Sequence, residues 1–206
     1  MRKFVKEVTN VSGQTLINVD IQPEYKSSFS FSLEKWIDFL NKNYDNVNNI
    51  VFLYNGKETL GMIGETDYKM WLFENGLNDD VLDGSTFYDK GYAFFRYCMD
   101  NYIDEDDIVD FVKFMVRNNI NDSRDMTKEL WKEYAKGQHH PWTKEELIAL
   151  LNGADDMINI PDLMDFLKHY NGIVLTGGSI NECLKEVEIS LKALEKNYTV
   201  LSEFTY

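Results

Sequence analysis

The sequence predicts an α/β fold: a three-layer α-β-α sandwich on a mainly parallel sheet of about five strands, Rossmann-like, with a helical insertion. Three observations carry this. Short apolar runs rich in β-branched residues (TLINV at 15–19, IVFLY at 50–54, IVLT at 173–176) alternate with amphipathic stretches at helical spacing. Turn signals such as Asn55-Gly56 and Gly177-Gly178 stop those runs. Within Gly172–Leu194 the period changes from strand to helix, because Ile180, Leu184, Val187, Leu191 and Leu194 recur one helical turn apart. Strand, glycine turn and helix in that order form the second half of a βαβ unit.

Taken in order, residues 1–13 are a polar lead-in with an extra edge strand at Lys3–Val8. Thr15–Val19 is the first core strand and stops at Asp20; the loop DIQPEYKSSF follows. Ser32 suits an N-cap, and Leu33, Trp36, Ile37, Leu40 and Tyr44 share one helix face. Ile50–Tyr54 is the second strand. Thr66–Asn75 reads as a short helix stopped by Gly76, with Tyr68, Trp71 and Leu72 inward. A turn at Asp83-Gly84 precedes a weak strand at Thr86–Tyr88, which ends near Lys90; Tyr92–Asp100 is aromatic and helical. Asp104–Asp107 stand where acids complement the start of a helix, and they lack the glycine and distal glutamate of a calcium loop. Residues 121–159 break the alternation and form a helical insertion, with helices at Thr127–Lys136 and at Thr143–Leu151; Thr143 and Glu146 open the latter as a capping box. Ile160–Tyr170 is a further helix with Pro161 at its start. Tyr198–Phe204 is the last strand.

Length and charge bound the function. A chain of 206 residues suits one domain. A net charge of −14 argues against a nucleic-acid or anionic-membrane partner, since a phosphate surface needs lysine and arginine to displace its counterions. No apolar run approaches a membrane span, and MRKFVKEVTN has no apolar core of a signal peptide, so a cytoplasmic location is expected. Cys98 and Cys183 lie in different predicted helices and are expected to be reduced thiols.

Asp20, Lys90 and Cys183 each fall at or just beyond the carboxyl end of a predicted strand. In a parallel sheet those ends share one edge, where ligands bind. Cys183 stands in the first turn of its helix, where the dipole and unpaired N–H groups favour a thiolate. A carboxylate can take the thiol's proton and an ammonium can stabilise the resulting charge. Singly, each residue also has a plain structural explanation: a turn cap, a solvated lysine, a small buried apolar side chain.

Three motifs here resemble those of the isochorismatase-like cysteine hydrolases. Asp20-Ile21-Gln22-Pro23-Glu24-Tyr25 is similar to that family's Asp-x-Gln-x-Asp-Phe. Lys90-Gly91-Tyr92-Ala93-Phe94 resembles its lysine segment in shortened form, and Gly177-Gly178-Ser179-Ile180-Asn181-Glu182-Cys183-Leu184 has the spacing of its nucleophile motif. The resemblance implies that Cys183 attacks a carbonyl, Asp20 takes its proton and Lys90 supports both. It further implies a cis peptide at Gly178–Ser179 and an oxyanion hole from the N–H groups of Ser179 and Cys183. Gln22, Tyr25, Asn55 and Tyr92, in or beside the motifs, become the candidate substrate contacts. The expected chemistry is cleavage of a C–N bond in a small amide or ureido compound through a thioester, without an organic cofactor.

The departures from the family pattern matter. Ile180 replaces a threonine, and Glu182 puts negative charge beside the thiol. Asn55-Gly56-Lys57-Glu58 stands where metal-binding relatives carry Asp-x-His, and His139 and His140 sit in a loop, so no metal is expected. The family's last strand and helix are missing, which leaves an open sheet edge for a homo-oligomer. Trp131, Tyr134 and Trp142 in the insertion either close over a pocket or merely pack it. The competing reading is a catalytically inactive relative that binds a small molecule or a protein. A metal-dependent nuclease using Asp20, Glu24 and Glu58 is the weakest, because the net charge repels its substrate.

Overall fold

The structure is a computed structural model that describes residues 2–5, 10–57, 61–90, 104–120, 125, 127–137 and 160–206. Its strands are β1 (Arg2–Val5), β2 (Thr15–Val19), β3 (Asn49–Tyr54), β4 (Thr86–Asp89), β5 (Ile173–Gly177) and β6 (Tyr198–Leu201). They form one sheet in the order β1-β6-β5-β2-β3-β4, and every pairing is parallel. β2 lies at the centre, between β3 and β5, so the chain reverses its direction of travel across the sheet at that strand. In such sheets ligands bind beyond the carboxyl ends of the adjacent strands at the reversal, here β2 and β5.

Alternation along the strands divides the core in two. Ile17, Val19, Val51, Leu53, Ile173 and Leu175 face one layer, whereas Leu16, Ile50, Phe52, Tyr54 and Val174 face the other. Strands buried on both faces in this way are what an all-parallel sheet requires. One layer contains α1 (Leu33–Asn43), α2 (Glu65–Glu74) and α3 (Asp79–Gly84), which bring in Trp36, Ile37, Leu40, Tyr68, Leu72 and Val81. The opposite layer contains α4 (Glu105–Arg117), α5 (Lys128–Gly137), α6 (Ile160–Leu167) and α7 (Cys183–Ala193). Asn18 is buried at the sheet centre and hydrogen-bonded through both its amide oxygen and its amide nitrogen. Its Oδ1 accepts from Trp36 Nε1 at 3.1 Å and from Thr176 Oγ1 at 2.7 Å, and its Nδ2 donates to the Val51 carbonyl at 3.1 Å.

Ser32 caps α1 by accepting the Lys35 N–H at 3.3 Å. Asp104 caps α4, accepting from the Asp106 N–H at 2.9 Å, with Glu105, Asp106 and Asp107 in the first turn. Several expectations need correction. α3 replaces the simple turn expected at Asp83-Gly84; six residues are too few for a period to show, yet Val81 and Leu82 are buried. Pro23–Ser28 winds into a 3-10 helix rather than a loop, with Pro23 at its start. The last strand stops at Leu201, and Ser202–Phe204 is a 3-10 turn; the helix from Ile160 stops at Leu167. The edge strand expected at Lys3–Val8 is present as β1, beginning at Arg2, and pairs with β6. Trp131 and Tyr134 pack into the core, where Tyr134 meets Phe111 and Phe114 at 5.3 and 5.2 Å between ring centroids. The helices expected at Tyr92–Asp100 and Thr143–Leu151 lie outside the described residues, as do Glu58, Tyr92, Cys98, His139, His140 and Trp142.

Candidate active site

The three residues singled out by sequence meet at one edge of the sheet. Asp20 follows β2, Lys90 follows β4 and Cys183 opens α7, and all three are buried, at 0%, 6% and 8% exposure. The ammonium of Lys90 lies 3.0 Å from Asp20 Oδ2. It also donates to Asn55 Oδ1 at 3.2 Å and to Glu186 Oε2 at 3.3 Å. Among the described residues the ammonium is thus held by two carboxylates and an amide oxygen. The Cys183 thiol lies close enough to feel the charges of both the Asp20 carboxylate and the Lys90 ammonium.

Local backbone features force this convergence. Asp20 has a φ of +50°, in the left-handed region that costs an ordinary residue about 1–2 kcal/mol and that aspartate tolerates better than most. Neighbouring contacts hold it there. Its N–H donates to the Leu53 carbonyl at 2.8 Å, Tyr206 Oη donates to its carbonyl at 3.0 Å, and Tyr68 Oη donates to the Ile21 carbonyl at 2.7 Å. Gly177 and Gly178 have φ values of +77° and +60°. A Cβ on Gly177 would lie 2.2 Å from the Val19 carbonyl oxygen, and one on Gly178 would lie 2.7 Å from the Leu184 nitrogen. Only glycine fits either position, and this turn swings Ser179 and Cys183 toward Asp20. The Gly178–Ser179 peptide is trans, contrary to the expectation, so the two left-handed glycines make the turn without a cis bond.

The remaining candidates divide by role. The Asn55 N–H donates to Gln22 Oε1 at 2.9 Å and Gln22 Nε2 donates back to the Asn55 carbonyl at 3.3 Å, which locks the ends of β2 and β3 together. Asn55 Nδ2 donates to Tyr25 Oη at 3.0 Å. Gln22 and Asn55 are therefore engaged in holding the rim and Lys90, while Tyr25 is half-buried at its edge. Among the described residues, the N–H groups of Ser179 and Cys183 donate to no backbone carbonyl, although the Ser179 carbonyl accepts from Glu182 and Leu184 at 3.0 and 3.1 Å. No group of three or more His, Cys, Asp or Glu side chains among the described residues is arranged to hold a metal ion. No described helix is long and apolar enough to cross a membrane.

No family model, curated protein or solved structure matches the chain. The site must be read from its own geometry.

Electrostatics set the protonation of the cluster. Burial pulls the Lys90 pKa down, but Asp20 and then Glu186 outweigh it, so the ammonium stays charged well beyond the usual lysine range. Burial, and next Asp20, push the Cys183 thiol far above its ordinary value; Lys90 opposes them and Glu186 adds to them. The Tyr206 phenol is raised by burial and by Asp20. Sequence reading missed two contributors. Glu186 is 1% exposed in a helix that is buried along most of its length, and its signal was the pair of glutamates, 186 and 188, inside that helix. Tyr206 gave no signal, because it reaches Asp20 only through the final turn; its carbonyl accepts the Ile180 N–H at 2.8 Å and its N–H donates to Gly178 at 3.2 Å.

Proposed function

We propose that the chain is a cysteine hydrolase of the isochorismatase-like type that cleaves a C–N bond in a small amide or ureido compound. The observation that carries this is the meeting of Asp20, Lys90 and Cys183 at the carboxyl edge of the sheet, within a buried polar cluster. The Cys183 sulfur attacks the substrate carbonyl as its proton passes to Asp20. The oxyanion is held by the N–H groups of Ser179 and Cys183. Asp20 returns the proton to the leaving nitrogen, the C–N bond breaks and a thioester remains. Water then attacks the thioester while Asp20 takes one of its protons. The acid leaves, and the sulfur recovers its proton. Lys90 stays charged throughout and balances the negative charge that moves between sulfur, oxygen and carboxylate.

A second reading has a specific observation in its favour. Two buried carboxylates and a thiol held strongly protonated describe a resting cysteine of low reactivity, as a catalytically silent binding protein would carry. The deciding experiment screens the chain against small primary amides and ureido compounds, following ammonia release beside Cys183→Ala. Turnover that vanishes in the variant supports the hydrolase. Turnover absent from the native chain, or unchanged in the variant, removes it.

A further inference from the structure

Glu186 stands outside the acid, amine and sulfur set that the sequence suggested. It lies in the first turn of α7, three residues after Cys183, so one helical turn places both on the same face. Its side chain is 1% exposed and its Oε2 lies 3.3 Å from Lys90 Nζ, nearly matching the 3.0 Å of Asp20. α7 is anchored while it holds this group: Lys185 and Lys192 both pair with Glu105 at the start of α4, the former at 2.5 Å.

We propose that Glu186 is a positioning residue that draws the Lys90 ammonium away from Cys183 and so restrains the thiol until a substrate occupies the site. This rests on the cysteine-hydrolase reading. A second carboxylate 3.3 Å from the ammonium holds it on its own side and sets its own negative potential against that of Lys90 at the sulfur. Among the described residues, the titratable groups that act on the sulfur come from four places: Asp20 after β2, Lys90 after β4, Glu186 on α7 and Tyr206 beyond β6. Lys90 alone among these favours the thiolate. A carbonyl substrate that accepts a hydrogen bond from the oxyanion donors brings developing negative charge to the rim, and Lys90 then has a reason to turn from Glu186 toward the reacting atoms.

The test is the pH dependence of Cys183 alkylation by iodoacetamide, read by mass spectrometry on the peptide that contains it, with no substrate present. In Glu186→Gln the acceptor shape remains and the charge is gone. Labelling at pH 8 should rise about tenfold, the equivalent of one pKa unit, with the midpoint moved to lower pH. In a Lys90→Met background the same Glu186→Gln change should have a clearly smaller effect, since only the direct repulsion between Glu186 and the sulfur is then left to lose. If it accelerates labelling equally in both backgrounds, Glu186 acts on the sulfur directly and the proposal is overturned. Unchanged or slower labelling in Glu186→Gln overturns it as well. Should that variant fail to fold, Glu186→Asp, which withdraws the charge by one methylene, must label faster than the native chain; labelling at the native rate refutes the role. Because the alkylation needs no turnover, a chain that hydrolyses no amide yet shows these shifts loses the hydrolase reading and keeps the restraint on the thiol.

Discussion

Replacing Lys90 by methionine is the most informative single perturbation of the cluster. The ammonium sits 3.0 Å from Asp20 and 3.3 Å from Glu186, and all three side chains are at most 1% exposed. At an effective dielectric of about 20 each pair contributes about 5 kcal/mol of Coulomb attraction. Most of that is offset by the desolvation of three charges, so the intact cluster adds little net stability. Methionine fills a similar volume but leaves two buried carboxylates without the cation, and breaking a buried pair in this way costs about 3–5 kcal/mol. Against a total stability of about 5–15 kcal/mol, that is a large fraction. Urea unfolding followed by tryptophan fluorescence should show a midpoint shift of that size with an unchanged slope. Adding Glu186→Gln should restore about 1–3 kcal/mol, because the two sites are in contact and their effects do not add. A Lys90→Met loss below about 1 kcal/mol would refute the reasoning, since it would mean that water or another group already compensates the carboxylates.

Other outcomes follow from the same geometry. Asp20→Asn keeps a residue type suited to positive φ and should fold, while losing about 10²–10⁴-fold of any amidase rate if Asp20 is the proton acceptor; steady-state ammonia release measures it. Gly177→Ala should cost about 3 kcal/mol, from about 1–2 for the left-handed backbone and 1–3 for the overlap with Val19 and Ile21. Differential scanning calorimetry reads that loss, and a melting temperature unchanged by Gly177→Ala would contradict it. Stability should fall toward alkali. The folded chain keeps the protons of Cys183, Tyr206, Tyr68 and Lys90 beyond their unfolded values, so the unfolded state ionises first. Cys183 contributes from about pH 8.5 upward, and Lys90 and the tyrosines from about pH 10, each with a slope of up to about 1.4 kcal/mol per pH unit. Urea midpoints between pH 8 and 10 should therefore decline less steeply in Cys183→Ala than in the native chain.

The sequence was legible where a local pattern and its tertiary use coincide. β2, β3 and β5 are short apolar runs because both of their faces are covered, and the glycine pair after β5 is there because a Cβ would strike Val19 or Leu184. Asp20, Lys90 and Cys183 could be placed together because parallel strands end on one edge, an inference that needs topology but no coordinates. Glu186 was hidden for the opposite reason. A glutamate on an amphipathic helix is ordinarily solvated, and nothing local says that α7 is buried on nearly all sides by α4, α6 and the sheet. β1 sits beside β6, almost the whole chain away, so no neighbouring residue announces the pairing. Tyr206 and Tyr68 reach the Asp20 turn through side-chain bonds across 186 and 47 positions, which no periodicity encodes.

A buried cluster with two carboxylates to one cation is an odd choice if stability were its purpose, since a well-packed apolar core of the same volume would do as well or better. The backbone around it makes the same point. Asp20 is held at positive φ by phenols on its own carbonyl and the next, and two consecutive glycines give up conformational freedom to bring Cys183 alongside. Strain and buried charge at the same few residues imply selection for the arrangement itself. On the hydrolase reading, inertness of the thiol in the resting state is compatible with that: a nucleophile kept protonated by burial, Asp20 and Glu186 would be protected from adventitious alkylation and oxidation. On that reading its activation depends on what binds beyond the carboxyl ends of β2 and β5. The ratio of alkylation rates with and without a bound amide measures that dependence directly. A binding protein with a silent cysteine predicts a ratio at or below one, because the ligand only shields the sulfur; a restrained nucleophile predicts that a non-hydrolysable amide small enough to leave the sulfur accessible raises it.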